Sequence, residues 1–152
     1  MLDLMRGGRR DGLPVFARSM SPAAGDALDR ADVIAPTLMH WTRFAVRSFN
    51  QAAWLAEALC EASGKRWKPR VSAGVKRRQS QAGLSAFERR RNVSGAIKAR
   101  WRYAGKTILL GDDVFTTGAT LEACARALGK AGAVEVHAVT LARVVRPTDI
   151  TF

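Results

Sequence analysis

The chain has 152 residues, 47% of them hydrophobic and 25% charged, which fits one globular domain and excludes a disordered chain. Lys and Arg outnumber Asp and Glu by 25 to 13, a net +12, so an anionic partner is expected. No apolar run reaches the ~18 residues of a membrane span, and the N-terminus is apolar first and basic second, the reverse of a signal peptide. No membrane partner is therefore expected, and the default location is cytoplasmic.

Residues 11–31 are rich in Ala, Gly, Pro, Ser and Asp, with a short amphipathic helix predicted at Pro14–Met20. Residues 1–31 read as an N-terminal extension or hood segment, and residues 32–152 as the main domain. Asp32–Pro36 is predicted as a short buried strand stopped by its proline. A helix follows, with Ser48 as N-cap and Gln51 completing a capping box, and Gly64 as its stop. Residues 65–106 hold fourteen basic side chains against one acid, Glu88, while the rest of the chain is close to neutral. Apart from a short strand at Val71–Val75, this stretch reads as a long functional loop. Lys106–Leu110 is a continuous apolar run, as in a parallel strand covered on both faces. Gly111–Thr120 then leads into a helix ending at Gly129, and Ala133–Ala142 is another strand. The fold class is α/β, with a mostly parallel sheet flanked by helices.

Ligands of open α/β sheets bind beyond the carboxyl ends of the strands. There, Thr116, Thr117, Gly118, Ala119 and Thr120 offer successive backbone N–H groups and three hydroxyls at a helix N-terminus, a nest sized for one phosphate. Asp112 and Asp113 precede it; they would repel a second phosphate and suit a diol or a Mg²⁺ ion. A phosphate joined to a vicinal diol describes a ribose 5-phosphate. The Walker lysine is missing, which disfavours a nucleoside triphosphatase. The plainer alternative is a helix merely capped by these side chains.

Leu110–Thr120 resembles the phosphoribosyl-pyrophosphate (PRPP) motif of type I phosphoribosyltransferases. Arg47-Ser-Phe-Asn-Gln51, Gln81-Ala-Gly-Leu-Ser85 with Arg89-Arg-Arg-Asn-Val93, and Thr140-Leu-Ala-Arg143 are similar, in order, to signatures of the ComF (competence protein F) group. The resemblance implies a type I phosphoribosyltransferase-like fold with a flexible hood. It implies that Asp112 and Asp113 are the catalytic pair on the ribose hydroxyls and the candidate Mg²⁺ ligands, and that Thr116–Thr120 hold the 5-phosphate. It places the pyrophosphate loop at Pro36, Thr37, Leu38, Met39 and His40, with Arg43 and Arg47 beside it. The hood, about Lys76–Val93, would present Arg77, Gln81, Arg89, Arg91 and Asn92. Arginines neutralise pyrophosphate bidentately, and a basic flap excludes water. Three positions depart from the group: the loop lacks its usual second proline, Ser48 replaces a glycine, and Gly111 replaces a β-branched residue. Group members often carry an N-terminal four-cysteine zinc ribbon. Here Cys60 and Cys124 form no C-x-x-C, so no ribbon and no zinc is expected.

The implied function is PRPP-dependent transfer of a phosphoribosyl group to a nitrogen acceptor, with Mg²⁺ and release of pyrophosphate. The alternative is a non-catalytic PRPP sensor or an accessory in DNA uptake that binds single-stranded DNA or a competence partner protein. A homodimer is left open. Trp67, Trp101 and Tyr103 flank the basic stretch and either stack nucleic-acid bases or pin the loop to the core, the expected role. Arg89–Arg91 serve either a solvated face or pyrophosphate, and His40 either pyrophosphate or a local hydrogen bond. His137 is expected to be structural, and both cysteines to be buried.

Overall fold

The computed structural model describes residues 11–37, 50–68, 72–74 (backbone only) and 97–144. Chain order is α1 (Leu13–Arg30), β1 (Val33–Pro36), α2 (Gln51–Ser63), β2 (Arg66–Trp67), β3 (Ser72–Gly74), β4 (Ile97–Ala99), β5 (Thr107–Phe115), α3 (Ala119–Lys130) and β6 (Glu135–Arg143). β2-β1-β5-β6 form a four-stranded sheet in which every pairing is parallel, and β3 and β4 form a separate two-stranded antiparallel sheet. The α/β class and the parallel sheet are as predicted.

Strand alternation divides the core in two. Ile34, Leu109 and Val139 meet α1 and α2 on one face, packing with Phe16, Met20, Leu55 and Leu59. Val33, Ala35, Ile108 and Leu110 meet α3 on the other, with Cys124, Leu128, Ile97 and Tyr103. A strand covered on both faces needs apolar residues at consecutive positions, as Ile108–Leu110 provide. Both cysteines are buried thiols within these clusters, and burial pushes Cys60 up to about 12.

Several elements differ from expectation. α1 runs well beyond Pro14–Met20, because Leu13, Phe16, Ala17, Met20, Ala24 and Leu28 hold one buried stripe through Pro22. The breakers register as a kink, with Gly25 at φ 45°. Asn50, not Ser48, caps α2: its side chain accepts a hydrogen bond from the Ala53 amide, and Gly64 closes the helix in the left-handed region. β5 continues past Leu110 to Phe115, because Asp112, Val114 and Phe115 stay in register with Thr140, Ala142 and Arg143 of β6. β6 begins at Glu135, since Ala133 and Val134 belong to the turn that follows α3. Of the strand predicted at Val71–Val75, Ser72–Gly74 are described and form β3; its partner β4 had no sequence signal.

Candidate functional site

β1 ends with Pro36 opposite Gly111, and β5 continues beyond it to Phe115. The next residue, Thr37, is 3% exposed, and its amide donates to the Gly111 carbonyl at 2.9 Å. Its hydroxyl donates to the Asp112 carboxylate. Thr37 therefore orients an acid, a role that its place in a predicted pyrophosphate loop did not signal.

Asp112 and Asp113 lie on the last turns of the β5 pleat rather than in a loop. Asp112 Oδ1 accepts from the Asp113 amide at 3.0 Å, and Asp113 Oδ1 from the Val114 amide at 2.9 Å. Burial pushes the Asp112 carboxyl up to about 6; the Thr37 hydrogen bond opposes this, and the negative charge of Asp113 adds to the rise. Two neighbouring carboxylates, one desolvated, form a site that favours hydroxyl donors or a cation.

Gly111 sets how closely α2 approaches β5. A Cβ at this position would lie 3.1 Å from the Ala56 Cβ and 3.5 Å from its Cα. The β-branched residue usual in the resembling group would require α2 to shift outward by a few tenths of an ångström, so Gly111 is matched to α2.

Three residues, 116–118, separate β5 from α3. Gly118 is the N-cap at φ 74° and has no side chain to cap the helix; the Ala119 amide donates to Thr117 Oγ1 at 3.5 Å. The alternative of a merely capped helix is met only by this one long bond. The first turn of α3 is flanked by exposed Thr116 and Thr117 and half-buried Thr120. A Cβ on Gly118 would come within 3.1 Å of the Phe115 ring. That ring is braced by β6: the Arg143 guanidinium lies 5.9 Å from its centroid, and the Val144 amide donates to the Phe115 carbonyl at 2.9 Å. Sequence reading missed this brace; Phe115 three residues before Gly118 was its only trace.

The structure brings Thr37, Asp112, Asp113 and Thr116–Thr120 to one edge of the sheet. Leu38, Met39, His40, Arg43, Arg47 and Ser48, and the hood residues Arg77, Gln81, Arg89, Arg91 and Asn92, lie outside the described residues. Among the described residues no group of three or more His, Cys, Asp or Glu side chains could hold a metal ion. The two aspartates fit Mg²⁺ as hard oxygen donors of the kind that ion shares with phosphates and water. No described helix is long and apolar enough to cross a membrane.

His137 lies near the start of β6, opposite Leu109, with Nε2 2.9 Å from Glu135 Oε2, and Glu135 also pairs with Arg30 at 3.3 Å. This is the structural role expected of it. Of the flanking aromatics, Tyr103 is buried and Trp67 packs against the core. Trp101 departs from the expected pinning, at 63% exposed.

The phosphoribosyl transferase domain family matches residues 47–149. Competence protein F of Haemophilus influenzae is 33% identical over 141 residues, covering 84% of this chain and 59% of that protein. The DNA utilization protein YhgH of Salmonella typhi is 33% identical over 104 residues, covering 68% of this chain and 44% of its own length. The chain thus spans about half the length of the curated relatives it matches. Among solved structures, purine phosphoribosyltransferase from Pyrococcus horikoshii superposes with a TM-score of 0.54 at 16% identity, over 92% of this chain and 90% of that one; the likeness shows a type I phosphoribosyltransferase fold. The chain belongs to the phosphoribosyltransferase domain family, in its ComF-type group.

Proposed function

We propose that this protein binds PRPP with Mg²⁺ at the carboxyl edge of its sheet and transfers the phosphoribosyl group to a nitrogen acceptor. The observation that carries this reading is the junction of β5 and α3. There a desolvated aspartate beside a second one adjoins a helix N-terminus whose N-cap is a glycine. In this reading the amides and hydroxyls of Thr116–Thr120 hold the 5-phosphate, and Asp112 and Asp113 accept hydrogen bonds from the ribose hydroxyls. Thr37 fixes the Asp112 carboxylate through its hydroxyl.

As the C1–O bond to pyrophosphate breaks and the C1–N bond forms, positive charge develops on the ribose. Carboxylates already fixed by hydrogen bonds from the β5 backbone stabilise it with little reorganisation. Mg²⁺, when bound, would supply charge neutralisation to the departing pyrophosphate, with Asp112 and Asp113 as its protein ligands. The names of the relatives, competence and DNA utilization, support a role in DNA handling, in the cytoplasm by our reading. The test is pyrophosphate release from PRPP across a panel of nucleobases and amines. Acceptor-dependent release that disappears in Asp113→Ala is expected; no release with any acceptor removes the catalytic part of the proposal.

A further inference from the structure

The parallel sheet has two functional ends. β1, β5 and β6 begin at the same edge, and the phosphate nest lies at the opposite one. Nine residues of β5 separate the two edges by about 25–30 Å, and α3 alone spans about 18 Å. A ligand the size of PRPP seated at the nest does not reach the amino edge.

At that amino edge the structure presents an aromatic ring among unneutralised cations. Trp101 is 63% exposed, although Ile97 and Tyr103 on either side of it are buried. The backbone that carries it is tied down. The Tyr103 amide donates to the Ala131 carbonyl at 2.8 Å, the Gly105 amide to the Gly132 carbonyl at 3.2 Å, and the Lys106 amide to the Tyr103 carbonyl at 3.0 Å. These bonds bring the segment against the C-terminal end of α3, where Lys130 is exposed. Arg100 and Arg102 flank the ring and are exposed as well. Among the described residues none of Arg100, Arg102 and Lys130 forms an ion pair, whereas the acids of this edge are engaged: Asp32 by Lys106 at 3.1 Å, and Glu135 by Arg30 and His137.

We infer that Trp101, with Arg100, Arg102 and Lys130, forms a platform for single-stranded nucleic acid at the amino edge of the sheet, separate from the phosphate nest. An indole face stacks on an unpaired base of any identity, and cations beside it take the adjoining phosphates. A duplex hides its base faces, so the platform discriminates against it. The rigid anchoring at Tyr103 and Gly105 lowers the entropy lost when a base stacks. Buried Tyr103 and half-buried Trp67 do not contribute faces. The platform does not depend on PRPP turnover at the other edge.

The test measures fluorescence anisotropy of labelled oligothymidylate, oligouridylate and a duplex of equal length at about 150 mM salt, where nonspecific attraction is screened. Trp101→Ala should weaken both single strands roughly ten-fold or more, and Trp101→Phe should keep most of the affinity. The Arg100→Glu, Arg102→Glu double change should abolish binding, and saturating PRPP with Mg²⁺ should leave it unaltered. A preference between the two oligomers names the backbone that the platform serves, and supports it if Trp101 dependence holds. Because Trp101 is exposed, its variants should keep the wild-type circular dichroism and unfolding midpoint. Wild-type-like binding by a folded Trp101→Ala, displacement by PRPP, equal affinity for duplex, or no binding by the wild type would each overturn the inference.

Discussion

Asp112→Asn should stabilise the unliganded protein, and only above the acid range. In the fold the carboxyl stands at about 6 against its ordinary 3.8, first because it is buried and further because Asp113 is negative. A raised acid pKa means that the folded chain holds its proton over a pH range where the unfolded chain releases it. Stability from this group therefore falls as pH rises from about 4 to about 6 and stays lowered above that. A shift of this size corresponds to about 3 kcal/mol, taken as an upper figure. Asparagine is never ionised, keeps an oxygen for the Asp113 amide, and can direct its NH₂ at the Thr37 hydroxyl. The variant should be up to about 3 kcal/mol more stable than the wild type at pH 8 and indistinguishable near pH 4. Urea denaturation at pH 4, 6 and 8 measures this directly. Equal or lower stability of the variant at pH 8, or a gap that persists at pH 4, would refute the reasoning. Under the proposed function that cost is expected: a site suited to a cation and a diol is held at the expense of the empty fold.

Gly111→Val should destabilise by about 1–3 kcal/mol through the clash with Ala56, and Ala56→Gly in the same chain should recover part of that loss in a thermal-melt double-mutant cycle. Gly118→Ala should cost about 1–2 kcal/mol for its left-handed backbone, with further strain against Phe115, and should weaken PRPP binding by calorimetry. Asp32 is held below the usual carboxylate range by the Thr107 amide, then by Lys106. Its contribution is present above the ordinary carboxylate pKa and is lost as pH falls through the lowered one, so Asp32→Asn should flatten the acid limb of the stability profile.

What the sequence made legible was apolar density and backbone-limited chemistry. Ile108–Leu110 could only be a strand covered twice, and Gly118 within a Thr-rich run could only be a close-approach turn before a helix. Less visible were features decided by tertiary context. Pro22 and Gly25 masked the stripe that carries α1 across them, since burial of Met20, Ala24 and Leu28 outweighs local propensity. Asp112 and Asp113 read as loop because they are polar, yet β6 pairs with their backbone whatever the side chains are. Thr37 gave no hint that its hydroxyl would meet Asp112, a contact between residues 75 positions apart. Trp101 and Tyr103 look alike in the chain, and only the packing of β4 on α3 separates the buried ring from the exposed one.

Isothermal titration of PRPP into the wild type and Asp113→Ala, each with and without Mg²⁺, addresses the ribose assignment most directly. The wild type should bind more tightly with Mg²⁺, and the variant should lose about 1.5–3 kcal/mol of affinity as a charge-assisted contact to the diol disappears. Unchanged affinity in Asp113→Ala, or a wild type that ignores PRPP in both conditions, would contradict the site as described.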